Sequence, residues 1–222
     1  MGIFNLMKLK NLIALCCVLA PAAVAVAQDG SSLKPPAGAS VAIVVFEDME
    51  CPSCAQRAPL LEQAAKTYNV PLVIHDFPLR QHPWAFDASV YARFFEEKYG
   101  KPVSDAFRLF IYQYQPQVTK DNLRSYAERF ASDKKLELPF MLDPQGKIAA
   151  AIRADSDFGT NTIHIQETPT TFVVTNKGSQ KVADYAQLYA MVDQAKRDNP
   201  APAAATAKSS PKKATAKKKS GQ

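Results

Sequence analysis

The residues most able to do chemistry are two cysteines three positions apart, Cys51 and Cys54, separated by Pro52-Ser53. A disulfide across so small a gap constrains little of the unfolded chain, because loop-closure stabilisation grows with loop length. Such a bridge is therefore better suited to exchange than to stability. At the first turn of a helix, residues i and i+3 share a face, within the Cα separation of about 4.4–6.8 Å that a disulfide spans. The competing chemistry is half of a zinc site, which needs four ligands. Cys16 and Cys17 lie inside the N-terminal apolar run, so beyond the pair the candidates are His75, His82 and His164, scattered along the chain. No metal is expected, and no cofactor other than the Cys51–Cys54 disulfide itself.

The placement assigns the roles. Cys51 follows a buried apolar run and opens a helix, so its sulfur would face unpaired N–H groups and the positive end of the helix dipole. Both favour thiolate over thiol, below the free value of about 8.5. Cys54, one turn further in, is more shielded. Cys51 would then be the attacking or attacked sulfur, with Cys54 resolving the mixed disulfide. Pro52 suits an early helical position, and Ser53 offers a hydroxyl and an N–H toward Cys51. Glu47, Asp48 and Glu50 oppose the trend, since nearby carboxylates raise a thiol's pKa. A second feature lies more than a hundred residues later. Thr168-Pro169 precedes a β-branched run, and X-Pro bonds alone reach cis readily. An ordinary trans proline opening an edge strand is the alternative.

The elements that must hold these residues are legible as patterns. Val41 to Phe46 is an unbroken apolar run, fitting a strand buried on both faces. Cys54 to Tyr68 has helical spacing at Leu60, Leu61, Ala64 and Ala65, with Pro59 predicting a kink. Val70 to Phe77 reads as the next strand, completing a βαβ unit. A helical block follows. Pro83 begins one segment and Gly100 ends it. Val103, Ala106, Phe107, Phe110, Ile111 and Tyr114 recur at helical spacing, as do Leu123, Tyr126, Ala127 and Phe130 behind Thr119 as N-cap. Asp143-Pro144 reads as the cap and first turn of a helix to about Arg153. Thr170 to Thr175 is strand-like, Asn176-Lys177-Gly178 has turn chemistry, and Gln180 to Val182 pairs back. Asp184 then caps a last helix with Tyr185, Leu188, Tyr189 and Val192 on one face.

The two ends are different material. Lys8 and Lys10 precede an apolar run that closes in Ala25-Val26-Ala27, a small-x-small cleavage pattern, so residues 1–27 read as a signal peptide. An uncleaved anchor is the alternative, for which the run is short. Residues 28–40 read as a linker and 41–198 as one domain, with a helical insertion at about 83–140. From 199 to 222 the chain is Ala, Pro, Lys, Ser and Thr without an aromatic residue, a composition expected to be disordered. Its six lysines match the whole +6 formal charge, so the folded body is close to neutral. In an exported protein the polyanions within reach of such a tail are phospholipid, lipopolysaccharide or cell-wall polymers, and no nucleic acid is expected.

Val41 through Cys54, with Phe46-Glu47-Asp48-Met49-Glu50-Cys51-Pro52-Ser53-Cys54, resembles the redox motif of DsbA-like thioredoxin domains. His75-Asp76-Phe77-Pro78-Leu79 with His82-Pro83 resembles that family's second strand and its entry to the helical insertion. Thr168-Pro169-Thr170-Thr171-Phe172-Val173-Val174 resembles its cis-proline strand. The resemblance covers Val41 to Arg197. It implies an α/β thioredoxin fold, βαβ then ββα around a mixed sheet, with an inserted helical subdomain. It implies a cis Pro169 against the cysteine pair, and a Thr168 backbone that pairs with a bound peptide as an added strand. Glu47 and Asp48 sit where the family often has an acid that helps deprotonate the buried thiol, here Cys54. The implied activity is thiol:disulfide exchange with cysteine-containing exported proteins in the periplasm or cell envelope, foremost as an oxidase, recycled by a membrane thiol oxidase or reductase. A monomeric reductase or isomerase of the same fold is the nearest alternative. An envelope polyanion-binding protein acting through the basic tail is the alternative of another class.

Overall fold

In the computed structural model, which describes residues 30–200, the apolar run after the linker forms β1 (Val41–Glu47), every residue of it buried. The proposed signal peptide and residues 201–222 of the tail lie outside the described residues. β1 is central because both its faces are apolar. It pairs in parallel with β2 (Leu72–Asp76) and antiparallel with β3 (Thr170–Thr175), which carries β4 (Gly178–Lys181) at the other edge. The order is β2-β1-β3-β4, a mixed sheet.

Strand periodicity divides the core. Val41, Ile43 and Val45 point to one face, where they pack with Leu61 and Ala64 of α1 (Pro52–Tyr68) and with Leu188 and Val192 of α6 (Leu188–Asp198). Val44 and Phe46 point to the other, against Phe77, Ile163, Ile165, Phe172 and Val174. Pro59 lies inside α1 without ending it. β2 is shorter than the sequence suggests. Asn69 turns left-handed (φ 49°) at the end of α1, and the Val70 N–H donates to Ala65 O, so Val70 belongs to the helix cap.

Between β2 and β3 come α2 (Ala85–Tyr99), α3 (Lys101–Tyr114), α4 (Leu123–Lys134) and α5 (Lys147–Phe158), then one π-helical turn at Gly159–Ile163. Gly100, at φ 90°, makes the corner between α2 and α3. The insertion core is aromatic. Phe95, Phe107 and Phe130 meet at centroid distances of 4.9 and 5.2 Å, each such pair adding about 0.5–1.5 kcal/mol beyond area burial. Thr119 is not the N-cap of α4. Its N–H donates to Asn122 Oδ1 (2.7 Å), making a preceding turn from which the helix starts at Leu123. Asp143 does accept an N–H from the coming helix, at Ala149 (2.8 Å), but α5 begins only at Lys147 and runs past Arg153 to Phe158. Asp184 accepts from Ala186 N (2.9 Å) and caps a 3-10 turn, Tyr185–Gln187, that leads into α6. Among the described residues no helix is long and apolar enough to cross a membrane.

Candidate active site

β1 runs toward the site and α1 runs away from it, so Asp48 to Cys51 make the turn between them. Cys51 is the N-cap of α1 with extended backbone (φ −77°, ψ 120°), and Pro52 fills a first-turn position where an N–H would be unpaired anyway. Both cysteines are free thiols. Cys51 is 8% exposed and Cys54 1%.

Their titrations are driven apart. Cys51 is held down to about 5, chiefly by a hydrogen bond from Cys54; burial opposes this, while the Thr168 side chain and the N–H groups of Cys54 and Ser53 assist. Cys54 is pushed far above the ordinary thiol range by burial, then by the neighbouring Cys51 and by the charge of Glu47. Asp48 N–H donates to Cys54 Sγ at 3.4 Å and opposes that rise only weakly.

The strand after the helical insertion returns to the pair. The Thr168-Pro169 bond is cis. Cys51 Sγ donates to Thr168 O at 3.3 Å across 117 residues of sequence. The Tyr185 hydroxyl is shared between Thr171 Oγ1 (2.8 Å) and Pro169 O (3.4 Å), and Arg57 of α1 lies over the Tyr185 ring at 4.6 Å. Cys51, Pro52, Ser53, Cys54, Thr168 and Pro169 therefore share one end of the sheet.

Glu47 and Asp48, adjacent in sequence, go to different places. The Asp48 carboxylate is fully buried and fully used. Oδ1 accepts from Glu50 N (2.7 Å) and Cys51 N (3.1 Å); Oδ2 accepts from Leu79 N (2.7 Å) and His82 Nδ1 (2.8 Å). It shapes the turn and has no free position for a proton from Cys54. Glu47 points to the α1 side of the sheet, where Arg108 NH1 donates to its Oε1 at 3.1 Å. Burial raises its carboxyl above the usual range, with Arg108 opposing.

Several further residues complete the site, among them Arg93, Arg108 and Gln115, which the sequence patterns do not single out. Arg108 of α3 also pairs with Asp76 Oδ1 (2.8 Å), and the chain of charge continues through Arg93 Nε to Asp76 Oδ2 (2.5 Å), Arg93 to Asp155, and Asp155 to His75 (2.8 Å). Burial alone would raise Asp76, but the two arginines hold it below the usual carboxylate range. Gln115 Nε2 donates to Met49 O (2.9 Å) and Cys51 O (3.1 Å), fastening the redox turn to the insertion. Glu50 Oε2 accepts from Trp84 N (2.8 Å) and Ala85 N (3.1 Å) at the start of α2. Among the described residues no three His, Cys, Asp or Glu side chains converge as a metal site.

A family model described as thioredoxin matches residues 36–194, so the chain belongs to the thioredoxin family. Its fold is that of the DsbA-like proteins. A variant of Wolbachia pipientis alpha-DsbA1 with two cysteines replaced by alanine superposes with a TM-score of 0.61 at 14% identity, over 78% of this chain and 97% of that one. Proteus mirabilis ScsC in a transitional conformation gives 0.57 at 21% identity, over 74% and 71%. A periplasmic thioredoxin-like protein from Salmonella enterica serovar Typhimurium gives 0.57 at 19% identity, over 73% and 87%. No curated protein matches the chain in sequence.

Proposed function

We propose that the protein is an exported thiol:disulfide oxidoreductase that exchanges the Cys51–Cys54 disulfide with cysteines of other exported proteins, acting as an oxidase. The observation that carries this is the geometry of the pair: Cys51 at the start of α1, 3.3 Å from Thr168 O beside the cis Pro169, with Cys54 buried behind it, an arrangement that drives the two titrations apart. A thiolate stabilised at Cys51 stabilises the reduced protein, and a stabilised reduced form makes the disulfide a stronger oxidant. Substrate thiolate attacks Cys51 Sγ; the S–S bond to Cys54 breaks and Cys54 takes up a proton. A second substrate cysteine then attacks the mixed disulfide and Cys51 leaves as thiolate. Thr168 and Pro169 present an edge against which an extended substrate backbone would lie. A membrane thiol oxidase would restore the disulfide. Export rests on the N-terminal pattern, supported by the periplasmic description of the Salmonella neighbour. Equilibration with glutathione tests direction: an oxidase has a potential well above that of cytosolic glutathione, and a potential near −270 mV, about that of thioredoxin, would favour the reductase reading.

The basic tail supports a second role, attachment to an envelope polyanion. α6 ends beside Lys177, whose Nζ donates to Asp198 O (2.9 Å), and Lys196 donates to Tyr68 O. Asn199 lines a surface cavity of about 660 Å³ together with Val41, Asn69 and Pro71. That is the start of β1, the end of the strand opposite Cys51, so Asn199 lies away from the redox pair. Deleting residues 201–222 should leave exchange unchanged and abolish salt-sensitive retention on anionic vesicles. Equal retention without the tail would end this reading.

A further inference from the structure

Whichever way the exchange runs, one proton must reach or leave Cys54. When Cys54 attacks the mixed disulfide, the bond between Cys51 and the substrate sulfur breaks, the Cys51–Cys54 bond forms, the substrate departs as thiolate, and the Cys54 proton is released. In the reverse direction Cys54 departs as thiolate and must gain a proton. Cys54 is 1% exposed, so solvent cannot serve it directly. Asp48 is saturated with hydrogen bonds. Arg108 holds its proton permanently. Glu47 is the remaining acid whose charge acts on Cys54, and it is itself enclosed, with 4% of its side chain exposed.

Glu47 has one further neighbour space. With Ala58, Glu62, Arg108 and Tyr112 it lines a cavity of about 10 Å³, room for a single water. The Tyr112 hydroxyl is buried beside Glu47 without a well-formed hydrogen bond, a polar group free to bond a water there. Glu62 lies on α1, two turns beyond Cys54, and reaches the same cavity from the half-exposed side. Facing it are Asp105 and Lys101 of α3 and Glu47 of β1; β2 contributes only Leu72 and Ile74.

We propose that Glu62 is the outlet of this path, passing the proton between solvent and Cys54 by way of the single-water cavity and Glu47. It is a positioning residue for the exchange, since it touches neither sulfur. Burial, then Asp105, raises its carboxyl to about 7, with Lys101 opposing. It is therefore poised to change protonation at physiological pH. The deprotonated form accepts outward protons, so the resolving attack by Cys54 speeds up as pH rises through about 7; the protonated form serves the inward direction, which slows over the same range.

The inference rests on Cys51–Cys54 exchange, and the test keeps the two separable. The reduced protein is mixed with oxidised glutathione, and the release of glutathione from Cys51 by Cys54 is followed against pH. Glu62→Gln should slow that release at neutral pH by about tenfold, less than the ~10²–10⁴-fold of a group that touches the reacting atoms, and should remove the inflection near 7. Glu62→Asp should keep the inflection. Alkylation of Cys51 and the thermal midpoint should not change in either variant. A Glu62→Gln protein with the parent rate and inflection overturns the outlet. No glutathione transfer in the parent chain overturns the exchange reading and the outlet with it.

Discussion

Cys51 sits at the mouth of the site, where backbone N–H groups, the Thr168 carbonyl and the start of α1 surround it. Cys54, one helical turn away, sits at the edge of a chamber closed by β1, β2, α1, α2 and α3, where the charges are Glu47, Arg108, Asp76 and Arg93. The mouth is built mostly by local geometry, a strand end, a turn and a helix start, with one long-range contact, Thr168 O against Cys51, added to it. The chamber is built by long-range pairing, since Arg108 meets Glu47 across 61 positions. The difference explains how one four-residue motif holds a ready thiolate beside a protected thiol. The Cys54 thiol, assisted by donors at the helix start, lowers one sulfur, and desolvation by a packed interior raises the other.

The largest test of this division is removal of either sulfur. Cys51→Ala should abolish exchange with a reduced test protein. Cys54→Ala should leave the mouth reactive and accumulate mixed disulfides at Cys51, read as mass-shifted adducts on non-reducing gels. Adducts in equal yield from both variants would break the assignment of attacking and resolving roles.

The chamber should depend strongly on its arginine. Arg108→Met leaves Glu47 and Asp76 buried without their shared partner, and breaking such a pair costs about 3–5 kcal/mol, measurable by urea denaturation. Adding Glu47→Gln to that variant should cost less than the two single losses combined, because one buried charge has then been removed. Additive losses would mean that Arg108 and Glu47 are not coupled.

At the mouth the signature is a pH profile. Iodoacetamide should modify Cys51 with an inflection near 5, well below the free thiol value of about 8.5. The sign for stability follows from a depressed value in the fold. Thiolate stabilisation of the reduced protein is full above the unfolded thiol value and is lost as pH falls through about 5. Denaturation of the reduced and oxidised forms between pH 4 and 9 should therefore show the reduced form gaining relative to the oxidised one as pH rises. A Cys51 inflection at or above 8.5 would show that the carboxylates of Glu47, Asp48 and Glu50 outweigh the helix start.

The same division decided what could be read before the structure. The mouth is written in two short segments, each contiguous: the apolar run of β1 with Cys51-Pro52-Ser53-Cys54, and Thr168-Pro169 before a β-branched strand. The chamber is not. Arg108 lies in α3 between Phe107 and Phe110, and a lone arginine in such a stripe reads as a solvated face. Its spacing did hold a signal. Ser104, Arg108, Ile111 and Tyr112 follow the i, i+4, i+7, i+8 pattern of a buried face, and all four are buried. The partner could not be read, because nothing local links α3 to the last residue of β1. Glu47 and Asp48 were indistinguishable for a simpler reason. Successive residues of a strand face opposite sides, and only the position of α1, α3 and the Leu79–His82 turn determines which carboxylate is spent on backbone N–H groups and which faces Arg108. Gln115 was missed in the same way, a single polar side chain whose partner lies over sixty positions away, and His82, named from the sequence as a candidate ligand and in the family motif, could not be matched to Asp48.

The smallest effect should come from a charge at the mouth, and it is the control for the chamber. Glu50 binds the first N–H groups of α2 through Oε2, so its carboxylate opposes the positive end of that helix. Its carboxyl is raised by burial, while the Trp84 N–H pulls the other way. Glu50→Gln keeps an acceptor oxygen in the same place and removes only the charge. An anion at a helix start contributes about 0.3–1 kcal/mol where solvent reaches it, and the burial that raises this carboxyl works against that gain, so any loss in urea denaturation should not exceed that range. That is several times smaller than the loss from Arg108→Met, although each substitution deletes one charge. Glu50 is also absent from the main causes that set the Cys51 titration, so the alkylation inflection should stay near 5. A stability loss as large as that of Arg108→Met would mean that the turn before Cys51 is as closed as the chamber behind it. The two regions would then differ in which groups they hold, rather than in how far solvent enters.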